Sequence, residues 1–255
     1  MKKYEYAQHL LPFFMIAFLL PLISILLQSL IHDYSIKFVL YGIEAASPSI
    51  AAIVILCADK HFKNFIRSNF RTKYLAQALI FPVIVVCATM FLAKLIACIL
   101  CKNPFTFRNI PLSQFVIILW SLVAEEFGWR GYLQPFLKSR LKPIWFVPFV
   151  VGVIWCFWHY HYFLISGMQV PFLLFFASCI IESYLYDYLL NWTGGNLISA
   201  MMYHFSWNLF LHLFAINPID NNGNLLPYAI LTILELLSLM IFFLMNKAMG
   251  NSRLH

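Results

Sequence analysis

Two of the ten acidic residues in this 255-residue chain are adjacent, in the run Ala124-Glu125-Glu126-Phe127-Gly128-Trp129-Arg130-Gly131-Tyr132-Leu133. A positioned carboxylate can act as a general base. Neighbouring side chains on a helix point about 100° apart, so the two glutamates cannot share one task. Glu126 and Arg130 stand at i,i+4 and can pair on one face, which leaves Glu125 to face a wet cavity. The plainer alternative is a buried Glu126–Arg130 clasp that only locks helices together. Two histidines follow in Trp155-Cys156-Phe157-Trp158-His159-Tyr160-His161. At i,i+2 they lie about 200° apart, so only one can line the cavity of Glu125, and the other is left as a helix–helix hydrogen-bonding group. In His204-Phe205-Ser206-Trp207-Asn208, His204 and Asn208 share a face, which His212 continues one turn on.

A carboxylate base beside two imidazoles and an amide suits peptide hydrolysis. The glutamate takes a proton from water, one histidine helps hold or polarise that water, and the other histidine with the asparagine stabilises the oxyanion. Alternatively, Glu125, His159 and His204 could bind Zn²⁺ and lower the pKa of its water to about 7. The chain has no H-E-x-x-H, G-x-G-D or G-x-S-x-G motif, so other intramembrane protease designs find no support.

These groups must be held by elements that lie in a bilayer. The chain is 62% hydrophobic and 11% charged, against roughly 45–50% and roughly 25% in an ordinary soluble domain. That excludes a soluble fold. Apolar runs at about 10–31, 37–58, 74–100, 112–136, 143–165, 170–190, 196–216 and 226–246 predict an all-α, polytopic membrane protein of about eight transmembrane helices, with 1–255 as a single membrane domain. Pro12, Pro21, Pro48, Pro82 and Pro148 fall in those runs and predict kinks, not ends. The apolar run after Met-Lys-Lys is too long for a signal peptide and no A-x-A site follows, so it reads as the first span. From the cytoplasmic helix ends, Glu125, His204 and His159 lie at depths of about 15, 12 and 20 Å, a loose agreement.

The net charge of +7 lies in the loops, which argues for topology and against a nucleic-acid partner. With the N-terminus in the cytoplasm, thirteen lysines and arginines gather on that side, Lys2, Lys3, Lys247 and Arg253 among them, against Lys37, Lys102 and Arg108 on the other. Both termini are therefore expected to be cytoplasmic, in a cell membrane. The six cysteines sit in or beside apolar runs and form no disulfide framework.

These residues resemble the CAAX protease and bacteriocin-processing family, also called the Abi family, whose pattern is E-E-x-x-x-R, F-x-x-x-H and H-x-x-x-N on successive polar helices. Glu125-Glu126-x-x-x-Arg130 matches the first element and His204-x-x-x-Asn208 the third, after the lead-in Gly194-Gly195-Asn196-Leu197. In the second, Trp155 stands where the pattern has Phe, while Phe157 and His161 meet the literal spacing. W-x-x-W-H is a common bacterial form, so His159 is taken as the match. The resemblance covers about 112–212.

It implies an eight-helix endopeptidase with a cavity opening toward the cytoplasm, acting on a membrane-associated peptide or protein. Glu125 would be the base, His159 would orient the water, and His204 with Asn208 would bind the oxyanion, supported by Glu126 and Arg130. Whether Zn²⁺ takes part stays open. Eukaryotic relatives trim prenylated CAAX proteins and bacterial ones are linked to bacteriocin self-immunity and peptide processing; this short, tryptophan-rich chain looks bacterial. Two other classes compete. One is a non-enzymatic immunity or peptide-binding protein using the same cavity. The other is a proton-coupled transporter using Glu44, Lys94, Glu182 and Glu235, though these show no shared spacing and no inverted repeat accompanies them.

Overall fold

The first apolar run folds as α1 (Leu10–Leu30), with Pro12 in its first turn and Pro21 inside it. A computed structural model of the protein describes residues 9–165 and 169–248. Lys2, Lys3 and Arg253, and the side chain of Lys247, lie outside the described residues. The second run divides. Asp33 caps α2 (Tyr34–Ala45) by accepting from the backbone N–H groups of Ser35 and Ile36. The chain then breaks at Ala46 and turns by 64° into α3 (Ser47–Ala58). Pro48 sits in the first turn of α3, where its missing N–H costs nothing. Pro148 likewise opens a helix, so only Pro21 and Pro82 fall inside helices, and the expectation of kinks is corrected at the other three.

A short α4 (Phe62–Asn69) leads to α5 (Leu75–Cys101). Next come α6 (Leu112–Ala124), a π-helical stretch at Phe127–Leu133 and α7 (Gln134–Arg140), together one long rod. The fifth run gives α8 (Val147–Trp158) and α9 (Tyr160–Ile165). Then follow α10 (Phe172–Trp192), α11 (Ile198–Leu213) and α12 (Leu226–Ala248). All regular structure among the described residues is helical.

Among the described residues, six helices are long and apolar enough to cross a membrane, or seven if α2 with α3 is counted as one bent span. The expected eighth is α11, whose 16 residues reach about 24 Å against a hydrocarbon core of about 30 Å. It packs against α5, α6 and α10. Its apolar residues meet protein, which hydropathy cannot distinguish from lipid. The outward residues of α1, α5 and α12, such as Leu26, Ile84 and Phe243, form the exposed apolar surface expected of a lipid-facing rim.

The π-helical stretch packs tightly on α3 and α4. A Cβ added at Gly128 would stand 2.4 Å from the Pro48 carbonyl carbon, and one at Gly131 would stand 2.8 Å from the Phe65 ring. Backbone cannot yield as a flexible side chain can, so Gly128→Ala is expected to destabilise the protein by about 1–3 kcal/mol or more. Thermal unfolding in detergent should show a lowered midpoint; an unchanged one would mean that α3 does not press on this turn.

Candidate active site

The α-helical hydrogen-bond pattern of α6 stops at Ala124, and Glu125, with φ −118° and ψ −37°, opens the transition to π winding. Such insertions recur at functional sites because they re-aim side chains within a continuous helix. Here the two glutamates part. Glu125 reaches a cavity and its Oε2 accepts from the indole N–H of Trp155 at 2.7 Å. Glu126 turns away from it, and its Oε1 accepts from His204 Nδ1 at 2.7 Å and from an Arg130 guanidinium N–H at 3.3 Å. Arg130 also reaches Ser183 Oγ at 3.4 Å. Its guanidinium carbon lies 3.8 Å from the ring centre of Tyr186 and 4.5 Å from that of Trp155. It is thus held by charge and by two aromatic faces.

The second histidine pair separates as its spacing suggests. His159 occupies the break between α8 and α9, and its Nδ1 meets the Trp155 carbonyl at 2.7 Å. A carbonyl only accepts, so Nδ1 carries the hydrogen, and in the neutral ring Nε2 keeps a lone pair. His161 is fully buried elsewhere. Its Nδ1 donates to the Trp158 carbonyl at 2.7 Å and its Nε2 lies 3.4 Å from Glu44, whose other oxygen accepts from Gln28 at 2.9 Å. His204, fixed through Nδ1, holds Nε2 3.8 Å from Glu125 Oε1. One imidazole therefore stands between both carboxylates.

The cavity measures about 490 Å³ and is lined by Glu125, His159, His204 and Asn208 together, within the range of about 300–1,000 Å³ usual for small-ligand sites. Trp155 and Tyr186 also line it, with Arg130 packed on the faces of both. Further along, the lining takes in Arg108, Gln169, Asn217 and Asp220, all from connections between helices. Arg108 pairs with Asp220 at 3.1 Å, and His212 bonds the other Asp220 oxygen. None of the lining comes from the connections at 59–74, 141–146 or 193–197, the first two of which carry Lys60, Lys63, Arg67, Arg71, Lys73 and Lys142. The polar residues of this site line the other half of the bundle.

The zinc alternative needs Glu125, His159 and His204 to converge. Among the described residues, no group of three or more His, Cys, Asp or Glu side chains is arranged to hold a metal ion. The side chains as placed do not fit a metal, and no step below passes through one. Of the residues considered for transport, Glu44 is held by Gln28, Glu182 accepts from Ser178 at 2.8 Å, and Glu235 accepts from Trp207 at 3.0 Å. Lys94 lies on α5, away from the lining.

Three contributors escaped the sequence reading: the Trp155 indole, the Glu126–His204 bond, and the Ser183 and Tyr186 seat for Arg130. Only the first had a signal, since a Trp in place of the Phe of the motif brings an N–H that Phe lacks.

Fold and site together define a multi-pass membrane protein with a carboxylate, two imidazoles and an amide gathered around one intramembrane cavity. Residues 107–210 match the model of the family described as type II CAAX prenyl endopeptidase Rce1-like. Lysostaphin resistance protein A of Staphylococcus epidermidis is 29% identical over 160 residues, covering 60% of this chain and 41% of that protein. CAAX prenyl protease 2 of Methanococcus maripaludis is 26% identical over 124 residues, covering 45% of each. The Staphylococcus aureus lysostaphin resistance protein A is 27% identical over 160 residues, or 37% of its length. The chain thus spans less than half the length of these curated relatives.

Proposed function

We propose that the protein is an intramembrane endopeptidase that cleaves a membrane-associated peptide or protein with water activated by Glu125. The observation that carries this reading is the placing of Glu125, His159, His204 and Asn208 on the wall of one cavity. Water held between Glu125 and the free Nε2 of His159 gives one proton to the Glu125 carboxylate as its oxygen attacks the scissile carbonyl carbon. The carbonyl oxygen becomes an oxyanion, which the Asn208 amide and His204 Nε2–H stabilise. Donation from Nε2 requires His204 as imidazolium, whose charge the Glu126 carboxylate at Nδ1 balances. The carbon–nitrogen bond then breaks, and the departing amine takes the proton from Glu125. Glu126 and Arg130 act as positioning residues.

Membrane peptides from cells expressing wild type and Glu125→Ala, compared by mass spectrometry, should differ by a set of products present only with wild type. Identical peptide sets, with both proteins at equal level in the membrane, would refute the proposal. The name of the staphylococcal relatives supports a second reading, in which the cavity captures a peptide without cutting it. Protection of cells by Glu125→Ala, with the peptide recovered intact from wild type, would favour that reading.

Trp155 donates to Glu125, so Trp155→Phe keeps an aromatic ring and removes one donor to the carboxylate. A hydrogen bond to a charged group is worth about 1.5–3 kcal/mol, so cleavage should fall about ten- to a hundredfold at unchanged protein level. A wild-type rate would show the indole to be packing only.

A further inference from the structure

Helix α10 lends the cavity one stripe of side chains, Phe175, Cys179, Glu182 and Tyr186, at the alternating steps of four and three residues that keep to a single helix face. Three of them suit a wall that meets apolar chain. Glu182 does not, and the hydrolytic scheme above leaves it without a task. Its side chain is 3% exposed, and its Oε1 accepts from Ser178 Oγ at 2.8 Å. Glu126 and Asp220 have arginine partners at 3.3 and 3.1 Å, and Asp187 has Lys138. Among the described residues Glu182 has no ion pair of this kind. Arg130 is already engaged by Glu126, Ser183 and two aromatic faces. A carboxylate in an apolar wall is costly unless something pairs with it, so its partner is to be sought in what enters the cavity.

The surroundings of Glu182 suit one kind of visitor. Trp207 of α11 and Tyr228 of α12 line the same cavity, with ring centres 6.5 Å apart and planes at 82°. Tyr228 stands beside Ser178 and Glu182. The Trp207 indole N–H is held at 3.0 Å by Glu235, which is not part of the lining, so its polar edge is taken and the ring is what remains for the cavity. A carboxylate with aromatic surfaces around it attracts an ammonium or guanidinium through both charge-assisted hydrogen bonding and the ring faces. An acidic side chain would be repelled there, and an apolar one would leave the carboxylate dry and unpaired. Distance also fits. Tyr186, one turn along α10, has its ring centre 6.4 Å from that of His204, which places Glu182 about 6 Å further along the helix axis from the reacting groups. An extended substrate advances about 3.3 Å per residue, and a lysine carries its charge on a flexible stem, so a residue close to the scissile bond reaches Glu182.

We propose that Glu182, with Trp207 and Tyr228, forms a specificity subsite that takes the side chain of a lysine or arginine within one or two residues of the bond to be cut. The proposal rests on the endopeptidase reading for the word substrate; the recognition of a basic side chain does not need the cut.

The test uses full-length protein purified in detergent and a set of otherwise identical apolar peptides in which each position in turn is Lys, Arg, norleucine, Gln or Glu. Wild type should cut Lys and Arg peptides about ten- to a hundredfold faster than norleucine peptides at one fixed offset from the cleaved bond, the range expected for a hydrogen bond to a charged group. Glu182→Gln keeps an oxygen for Ser178 and should bring that ratio close to one, whereas Glu182→Asp should retain part of it. A wild type indifferent to basic residues would overturn the proposal, as would a preference that survives in Glu182→Gln. Binding of the same Lys and norleucine peptides to Glu125→Gln protein separates the two readings, since this variant also removes the other cavity carboxylate that could attract a cation. Tighter binding of the Lys peptide there, lost on adding Glu182→Gln, would uphold the subsite even if wild type cuts nothing and the endopeptidase reading falls. Equal binding of the two peptides would overturn the subsite whatever the cleavage result.

Discussion

Replacing Glu125 with glutamine should lower cleavage by roughly 10²–10⁴-fold, the range that a positioned base contributes, with the protein at its normal level in the membrane. Glutamine keeps the length of the side chain and an oxygen that can accept from the Trp155 indole, so the 2.7 Å contact survives. What disappears is the ability to take a proton from water. The initial rate on a product-defining peptide, with purified protein in detergent, measures the effect. A rate within tenfold of wild type would remove Glu125 from the mechanism. A loss of protein from the membrane would instead show the carboxylate to be structural.

The largest expected effect on stability belongs to Arg130. Its side chain and that of Glu126 are both fully buried and 3.3 Å apart. Removing one member of such a pair strands the other charge, at a cost of about 3–5 kcal/mol. Arg130→Met should therefore lower the unfolding midpoint sharply in detergent. Arg130→Lys should recover only part of the loss, because one ammonium cannot meet Glu126, reach Ser183 and stack on Tyr186 together. The double variant Glu126→Gln, Arg130→Met should be more stable than Arg130→Met alone, since no unpaired charge remains. Equal melting of Arg130→Met and wild type would show that the pair does not hold these helices.

Much of this arrangement was legible because it is local. The helical period alone separates Glu125 from Glu126 and His159 from His161, and in the structure one of each pair lines the cavity while the other is bonded elsewhere. The apolar runs located the helices to within a few residues. What stayed hidden depends on distance or on packing. The Glu126–His204 bond joins positions 78 apart, and no periodicity within either segment announces it. The shortness of α11 was masked because residues packed against protein are as apolar as residues facing lipid. The break at Ala46 was legible in principle, since Pro48 disfavours helical geometry just before it, but a proline inside a membrane run reads equally well as a kink.

The seven π-helical residues between Glu125 and α7 also bear on how this chain tolerates change in length. π winding closes each turn on the fifth residue and not the fourth, so the stretch accommodates more chain per turn than regular winding would. Deleting a single position there lets the rod approach regular winding while rotating everything above the deletion by about 100° relative to everything below it. Glu125 would then swing off the cavity wall while Arg130 kept its seat. Such a shortened chain would be inserted and smoothly wound, and catalytically blank. Working register is thus stored in a local excess of backbone, and a one-residue indel in this stretch is more damaging than most point substitutions that flank it.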